Sequence, residues 1–267
     1  MEILNLVLIF ILGSAVGSFL NVVILRLPKG QNLRGRSACP ACGKTLSASE
    51  LVPLLSFLWQ KGKCKRCGRK ISARYFLIEL ITATVFLATW IFISPKDLTD
   101  FLLLTKWLLG LSVFIAVFVI DWEHYLIFDS VVFTGLLGVN ALNLVLDYAK
   151  QAGLVGFSTN FFGGIFAALL AALPFFALWF FSKGRWMGFG DVKLALFLGV
   201  VFGWPLVLVN LFLAVFSGGI ISLLLLLSGK KSLKSQVPFG VFLTFSAMLT
   251  IFFGQNMMAW YLSLIGF

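Results

Sequence analysis

About eight apolar stretches, joined by short polar connections, fill this 267-residue chain apart from one long polar segment. They run over 3–25, 75–94, 101–120, 129–147, 161–181, 190–203, 205–228 and 238–264. A helix needs roughly 20 apolar residues to cross the hydrocarbon core, and lipid forces each spanning segment to bond its own backbone polar groups. The sixth stretch is short, and the seventh follows it through Gly203-Trp204-Pro205 almost without a loop, so those two can form a re-entrant pair. Composition excludes a soluble domain: 60% of residues are hydrophobic and 12% charged, where a soluble domain carries about a quarter charged residues. The pattern predicts an all-α polytopic membrane protein of about eight transmembrane helices, with the lipid bilayer as its partner. The net charge of +11 lies in the connections. Topology and anionic headgroups account for it, and it implies no nucleic-acid partner.

The polar segment holds all four cysteines, in two tight pairs, Cys39-Pro40-Ala41-Cys42 and Cys64-Lys65-Arg66-Cys67, each followed by a glycine, Gly43 or Gly68. Such knuckles turn backbone N–H groups toward thiolate sulfur. Their spacing predicts a structural zinc site with ligands Cys39, Cys42, Cys64 and Cys67 and no open coordination position. Two disulfides are the alternative and would need an oxidising compartment. Against that stand Lys29, Arg34, Arg36, Lys44, Lys61, Lys63, Lys65, Arg66, Arg69, Lys70 and Arg74, which mark the segment as cytoplasmic by the positive-inside rule. The chain thus divides into a first transmembrane helix (1–28), a small cytoplasmic zinc-binding domain (29–74) and a multi-helix membrane domain (75–267).

Orientation follows. The connections 121–128, 182–190 and 229–237 face the cytoplasm, the last two carrying Lys183, Arg185, Lys230, Lys231 and Lys234, while 95–100 and 148–160 face outward with little positive charge. Glu2 follows Met1, the positive charges come after the first stretch, and no small-residue cleavage site stands out. That reads as a retained helix with its N-terminus outward. Trp59, Trp186 and Trp204 read as interfacial anchors.

Only ten Asp and Glu residues exist, and charge near a span suggests function. Asp121 closes the third stretch in Ile120-Asp121-Trp122-Glu123-His124, and Asp191 opens the sixth in Gly188-Phe189-Gly190-Asp191-Val192-Lys193, both on the cytoplasmic face. Facing each other, they would share one proton and divide into an acid and a base. Gly188 and Gly190 would let the backbone turn sharply and a substrate strand approach. Alternatively both are helix-end residues, Asp191 serving as an N-cap. Asp129, eight positions on, is an alternative first acid, but as the head of an apolar run it reads rather as the cap of the fourth stretch; Lys193 either lowers the Asp191 pKa or snorkels to the interface, the reading preferred here; and Glu123 reads as a solvated loop residue rather than a contact for a basic substrate segment. His124, the single histidine, excludes a His-rich metal centre. Glu79, about one turn into its apolar stretch, calls for a partner such as Arg74 or Lys70.

In this order the pieces resemble the type IV prepilin leader peptidases, bifunctional membrane aspartic peptidases and N-methyltransferases. The likeness covers nearly the whole chain. It is carried by Gly17-Ser18-Phe19-Leu20-Asn21 through Pro28, Arg36-Ser37-Ala38-Cys39, Leu51-Val52-Pro53-Leu54-Leu55-Ser56, Ile71-Ser72-Ala73-Arg74-Tyr75, Glu79, Ile120-Asp121, Met187 to Leu194 and Val237-Pro238-Phe239-Gly240. Phe128 stands where the family has proline before the acid, and Val241 where a second proline is common.

The resemblance implies that Asp121 and Asp191 are the catalytic pair of a prepilin peptidase in the bacterial cytoplasmic (inner) membrane. Its substrates would be prepilins or pseudopilins of type IV pilus or secretion systems, cut after a glycine where a basic leader meets an apolar helix. It further implies methylation of the new N-terminal amine with S-adenosyl-L-methionine as donor, a role the family links to the N-terminal part of the chain, with the first helix exit, the zinc loop and Glu79 as candidate contributors. Composition and spacing do not show that second activity, since no glycine-rich nucleotide fingerprint is present. Rival readings are a membrane transporter or channel using Asp121 and Asp191 as an ion or proton site, a structural assembly subunit, and a presenilin-type protease. That last type lacks a zinc loop and carries its first acid within a helix.

Overall fold

The computed structural model describes residues 2–151, 161–229 and 237–264. Among these the chain is helical, and two isolated β-bridges are its sole extended pairings. It falls into two compact units, Met1–Ile93 and Ser94–Phe267.

The first unit is built on α1 (Glu2–Arg26) and α3 (Ala73–Ile93), with the polar segment and a five-residue α2 (Leu55–Trp59) between them. The two long helices pack antiparallel along a stripe repeating every four residues of α1. A Cβ on Gly13 would lie 2.7 Å from the Ala83 Cα, and one on Gly17 would lie 2.7 Å from the Glu79 Cα. Asn21 then donates Nδ2 to the Tyr75 carbonyl at 3.0 Å. Each step of four up α1 is a step of four down α3, and glycine is what lets the backbones touch where lipid supplies no hydrophobic drive for association. Beyond α1, the Arg26 guanidinium gathers the carbonyls of Asn32, Leu33, Arg34 and Arg36 and so folds the chain into the polar segment.

The second unit contains α4 (Leu98–His124), α5 (Asp129–Gln151), α6 (Phe161–Ser182), α7 (Phe189–Phe202), α8 (Leu206–Leu227) and α9 (Phe239–Leu264). Seven helices among the described residues are long and apolar enough to cross a membrane, and they coincide with seven of the eight predicted stretches. The remaining stretch is α7, whose 14 residues extend about 21 Å, less than the roughly 30 Å of a hydrocarbon core. It is the centre of its unit, and every residue from Phe197 to Phe202 is buried. Helix α6 offers it a face of Gly164, Ala167, Ala168, Ala171 and Ala172. A Cβ on Gly199 would fall 2.2 Å from the Ala168 Cα. Buried amides complete the packing: Asn143 donates to the Val200 carbonyl at 3.0 Å and Asn210 to the Leu243 carbonyl at 3.3 Å. Trp59, Trp186 and Trp204 are all exposed, as anchors at an interface would be. Lys230, Lys231 and Lys234, and most of the 148–160 connection, lie outside the described residues.

Because α6 and α7 meet backbone to backbone at Gly199, Gly199→Val should destabilise the second unit by about 1–3 kcal/mol, the usual cost of overpacking. The check is thermal unfolding of the detergent-purified protein by circular dichroism. A wild-type midpoint in the variant would contradict the contact.

Candidate functional site

The last turn of α4 carries Asp121 inward. The helix ends when Tyr125 takes the left-handed conformation (φ 57°) and donates its N–H to the Asp121 carbonyl at 3.0 Å. The Asp121 side chain is only 5% exposed. Its Oδ2 accepts the Val241 N–H at 3.0 Å, and the Gly240 N–H also serves the carboxylate. Both donors sit in the first turn of α9, where backbone N–H groups have no partner inside the helix and the helix dipole favours an anion. Gly240 admits the carboxylate because a Cβ there would stand 2.8 Å from Oδ2.

Asp191 is the third residue of α7 and half-buried. Its carboxylate receives the Gly188 N–H and lies within electrostatic reach of Asp121. Ile127, in the connection between α4 and α5, wedges the two acids' surroundings together. A Cβ on Gly190 would be 2.9 Å from its Cβ, and one on Gly240 would be 3.0 Å from its Cδ1. The ends of α4, α7 and α9 therefore meet around one isoleucine, with an acid on either side.

Several sequence expectations change here. Gly188 caps α7 with ordinary extended angles (φ −75°, ψ 149°), and Gly190 lies inside the helix, so neither makes a sharp left-handed turn. Gly190 is needed for its contact with Ile127. Asp191 is not the N-cap, since that position belongs to Gly188. Lys193 does not simply reach for the interface: it forms an ion pair with Asp129, the first residue of α5, and its Nζ stands 5.1 Å from the Phe189 ring centroid. Asp121 lies within a helix, so that criterion does not set this chain apart from presenilin-type proteases. Glu123 and His124 are exposed at the end of α4, 3.8 Å apart. The parts that motif reading missed are Ile127 and the N–H pair of Gly240 and Val241. The Pro238-Phe239-Gly240 signature was visible in the sequence, but its contact with Asp121 was not.

In the first unit the two cysteine knuckles are copies of one local fold. Cys39 donates N–H to the Lys44 carbonyl and Cys64 to that of Arg69, while Gly43 and Gly68 (φ 68° and 70°) return theirs to the Cys39 and Cys64 carbonyls. An isolated bridge closes each turn, Ala38 to Thr45 and Lys63 to Lys70. The four sulfurs lie within 4.8 Å of one another, with Cys39 and Cys67 at 3.9 Å. A disulfide needs about 2.05 Å, and all four cysteines are free. Tetrahedral zinc with bonds near 2.3 Å would set sulfurs about 3.8 Å apart, so the donor set fits one metal ion. Backbone N–H groups of Cys42 and Ala41 bring the Cys39 thiol down to about 7, which favours the ligating thiolate.

Beside the knuckles a cavity of about 420 Å³ is lined by α1, the polar segment and the start of α3. Glu79, 8% exposed, reaches it and accepts the Leu54 N–H at 2.8 Å. That bond holds Leu54 at φ 60°, ψ −54°, a conformation leucine rarely adopts. Glu50 closes a capping box with Ser47, whose hydroxyl and backbone N–H hold its carboxyl below the usual carboxylate range.

The profile of the Bacterial Peptidase A24 N-terminal domain matches residues 11–93, and that of the Type IV leader peptidase family matches residues 107–223. These matches fall in the first and second structural units respectively. A prepilin leader peptidase/N-methyltransferase of Aeromonas salmonicida is 31% identical over 97% of this chain and 94% of its own length. The protein of that name from Bacillus subtilis is 32% identical over 96% and 98%, and the one from Pseudomonas aeruginosa 30% over 96% and 93%. No solved structure matches the chain. With two acids gathered at the helix ends of one unit, a four-cysteine knuckle in the other, and relatives matching from end to end, the chain belongs to the prepilin leader peptidase/N-methyltransferase family.

Proposed function

We propose that the chain cleaves the leader peptide of prepilins or pseudopilins, with Asp121 and Asp191 as its catalytic pair. The observation that carries this reading is the meeting of two acids from α4 and α7, each held by backbone N–H groups at a helix N-terminus. Two carboxylates at such a place share one proton. The ionised member takes a proton from a water molecule, whose oxygen attacks the scissile carbonyl carbon, while the protonated member gives its proton to the carbonyl oxygen. Collapse breaks the C–N bond as a proton passes to the departing amine, and the pair returns to its starting charge. Fixed N–H groups on one side of each carboxylate orient the opposite oxygen toward substrate without rearrangement during the reaction.

The basic segment and the site lie on the cytoplasmic side of the bacterial inner membrane, by the excess of Lys and Arg in 29–74. A basic leader stays in water there while the apolar helix that follows it stays in lipid. Cys39, Cys42, Cys64 and Cys67 hold zinc, which closes the 29–74 segment into a domain and has no coordination position left for substrate. The chain also methylates the amine freed by cleavage. S-adenosyl-L-methionine, when bound, supplies the methyl group; the chain must hold the amine neutral and in line with the methyl carbon, and accept the proton the nitrogen loses.

Either Asp121→Asn or Asp191→Asn should lower leader removal by about a thousandfold or more, since neither acid can supply the other's proton transfer. Purified variants incubated with a prepilin and read by mass would show this, and substantial cleavage by Asp191→Asn would remove the pair from the mechanism. Lys193→Met and Asp129→Asn should each slow cleavage about tenfold, with the double variant no slower than either, because both remove one coupling between α5 and α7. Additive losses would mean the two residues act separately. Protein purified under reducing conditions should contain about one zinc per chain, lost in Cys39→Ser together with methyl transfer while leader removal persists. Metal analysis beside both assays tests this, and a zinc-free wild type would refute it.

A further inference from the structure

The short helix α2 has two unlike faces. Its inner side, Ser56 and Phe57 with Gln60 just beyond, lines the cavity of the first unit, and Phe57 stacks on Phe76 of α3 with ring centroids 5.3 Å apart. Its outer side carries Leu55, Leu58 and Trp59, which are 46%, 57% and 66% exposed, and Leu51, four positions earlier, is exposed as well. Large apolar side chains at i, i+3 and i+4, left bare on an otherwise polar segment, mark a surface that meets something apolar.

The depth of α2 narrows the choice. Helix α3 has 21 residues and extends about 31 Å, barely the roughly 30 Å of a hydrocarbon core, so it keeps no full turn in water. Helix α2 runs beside its beginning. The Leu54 N–H, at the entry to α2, bonds Glu79, the seventh residue of α3, at 2.8 Å, and Phe57 meets Phe76, the fourth. Those contacts lie about 5–9 Å along α3 from its start, the depth at which in-plane amphipathic helices rest between headgroups and acyl chains. Cations stand at the same place. Lys61, Lys63, Lys65 and Arg66 follow Trp59, all exposed, and the Gly62 carbonyl accepts the Ile71 N–H at 2.7 Å, which pins this stretch to the residues leading into α3. Over 29–74 there are eleven Lys and Arg residues against one acid, Glu50, which is buried and bonded to Ser47. A basic prepilin leader would be repelled there, and a nucleic acid would leave the apolar stripe in water. An anionic bilayer surface meets both the cations and the stripe.

We propose that α2 is an in-plane membrane helix through which the polar segment docks on anionic lipid. Leu51, Leu55, Leu58 and Trp59 enter the acyl-chain boundary of the leaflet from which the segment emerges, and Lys61 and Lys63, with Lys65 and Arg66 of the second knuckle, meet the headgroup phosphates. The stacking of Phe57 on Phe76 and the bond from Leu54 to Glu79 keep the apolar face of α2 turned away from α3. The segment is thus held to the membrane by α1, by α3 and by this third surface, and the second knuckle rests against headgroups. The proposal depends on neither the peptidase nor the methyltransferase reading.

The test uses the full chain reconstituted in vesicles of phosphatidylglycerol and phosphatidylethanolamine, with a trace of phospholipid carrying a diazirine near the glycerol end of one acyl chain. Irradiation should label residues 51–59 as well as the first turns of α3, read by peptide mass spectrometry. In vesicles of phosphatidylcholine the labelling of 51–59 relative to α3 should fall about fivefold, on the order of what one surface lysine adds to binding of anionic lipid. The double variant Lys61→Gln, Lys63→Gln, with a thermal midpoint near that of the wild type, should show a similar fall in the anionic vesicles. Labelled α3 with unlabelled 51–59 would overturn the proposal, as would equal labelling of 51–59 in the two kinds of vesicle. A variant labelled like the wild type would remove Lys61 and Lys63 from the docking. Cross-linking of 51–59 to an added prepilin in place of lipid would assign the face to a protein and overturn the proposal too. The wild-type comparison between vesicles needs no substitution, so it decides even where the variant fails to fold.

Discussion

The hydrogen bonds from the Gly240 and Val241 N–H groups to the Asp121 carboxylate join two parts of the chain 120 residues apart, and the second unit's chemistry is organised around them. A buried carboxylate is costly unless it is bonded, and the first turn of a helix has N–H groups that need an acceptor. Each requirement answers the other. The absence of a side chain at Gly240 lets the groups meet, and Ile127 then transmits their position to Gly190 and so to Asp191. Both acids are thus placed by backbone and by one apolar side chain. Lys193, paired with Asp129 of α5, adds a charged tie to the start of α7.

The first unit shows how one stripe of residues can be close-packed scaffold along most of its length and cavity wall at its end. Gly13 and Gly17 bring α1 against the backbone of α3 with no space between. Four residues further, Asn21 occupies the same face and its side chain bonds the Tyr75 carbonyl. The cavity opens there. Close packing thus gives way to a lined space through a change from glycine to asparagine at a fixed interval.

What the sequence discloses depends on how local the determining contacts are. The cysteine knuckles were legible because six residues set each one: Cys39 to Lys44 and Cys64 to Arg69 fold alike from spacing alone. Spans were legible from apolar length, which needs no partner. Helix α7 read as short, but its burial on all sides erases any difference between faces, so its central position left no pattern to read. Asp121 and Asp191 stood out as charges at the ends of apolar runs, and the family likeness singled them out as a pair. The contacts around them did not stand out, because Ile127 is one apolar residue among many and Gly240 resembles any glycine at a helix start. Lys193 was misread for the same reason, since its partner Asp129 lies 64 positions away. Leu54 lay in a segment that carries the family likeness, but nothing in a leucine's sequence context announces its positive φ.

The peptidase chemistry proposed for this chain asks little of the interior of a membrane protein. Hydrolysis needs a water, two carboxylates and a few fixed N–H groups. Helix ends can supply these inside an apolar bundle without burying further charge. In the first unit, acids, bases, amides and rings line a cavity where the polar segment folds back over the ends of α1 and α3. Four cysteine sulfurs within 4.8 Å of one another would let one metal ion fix that segment, where a stretch of under fifty residues could hardly build a large hydrophobic core of its own. A metal held by Cys39, Cys42, Cys64 and Cys67 would keep the two knuckles in register.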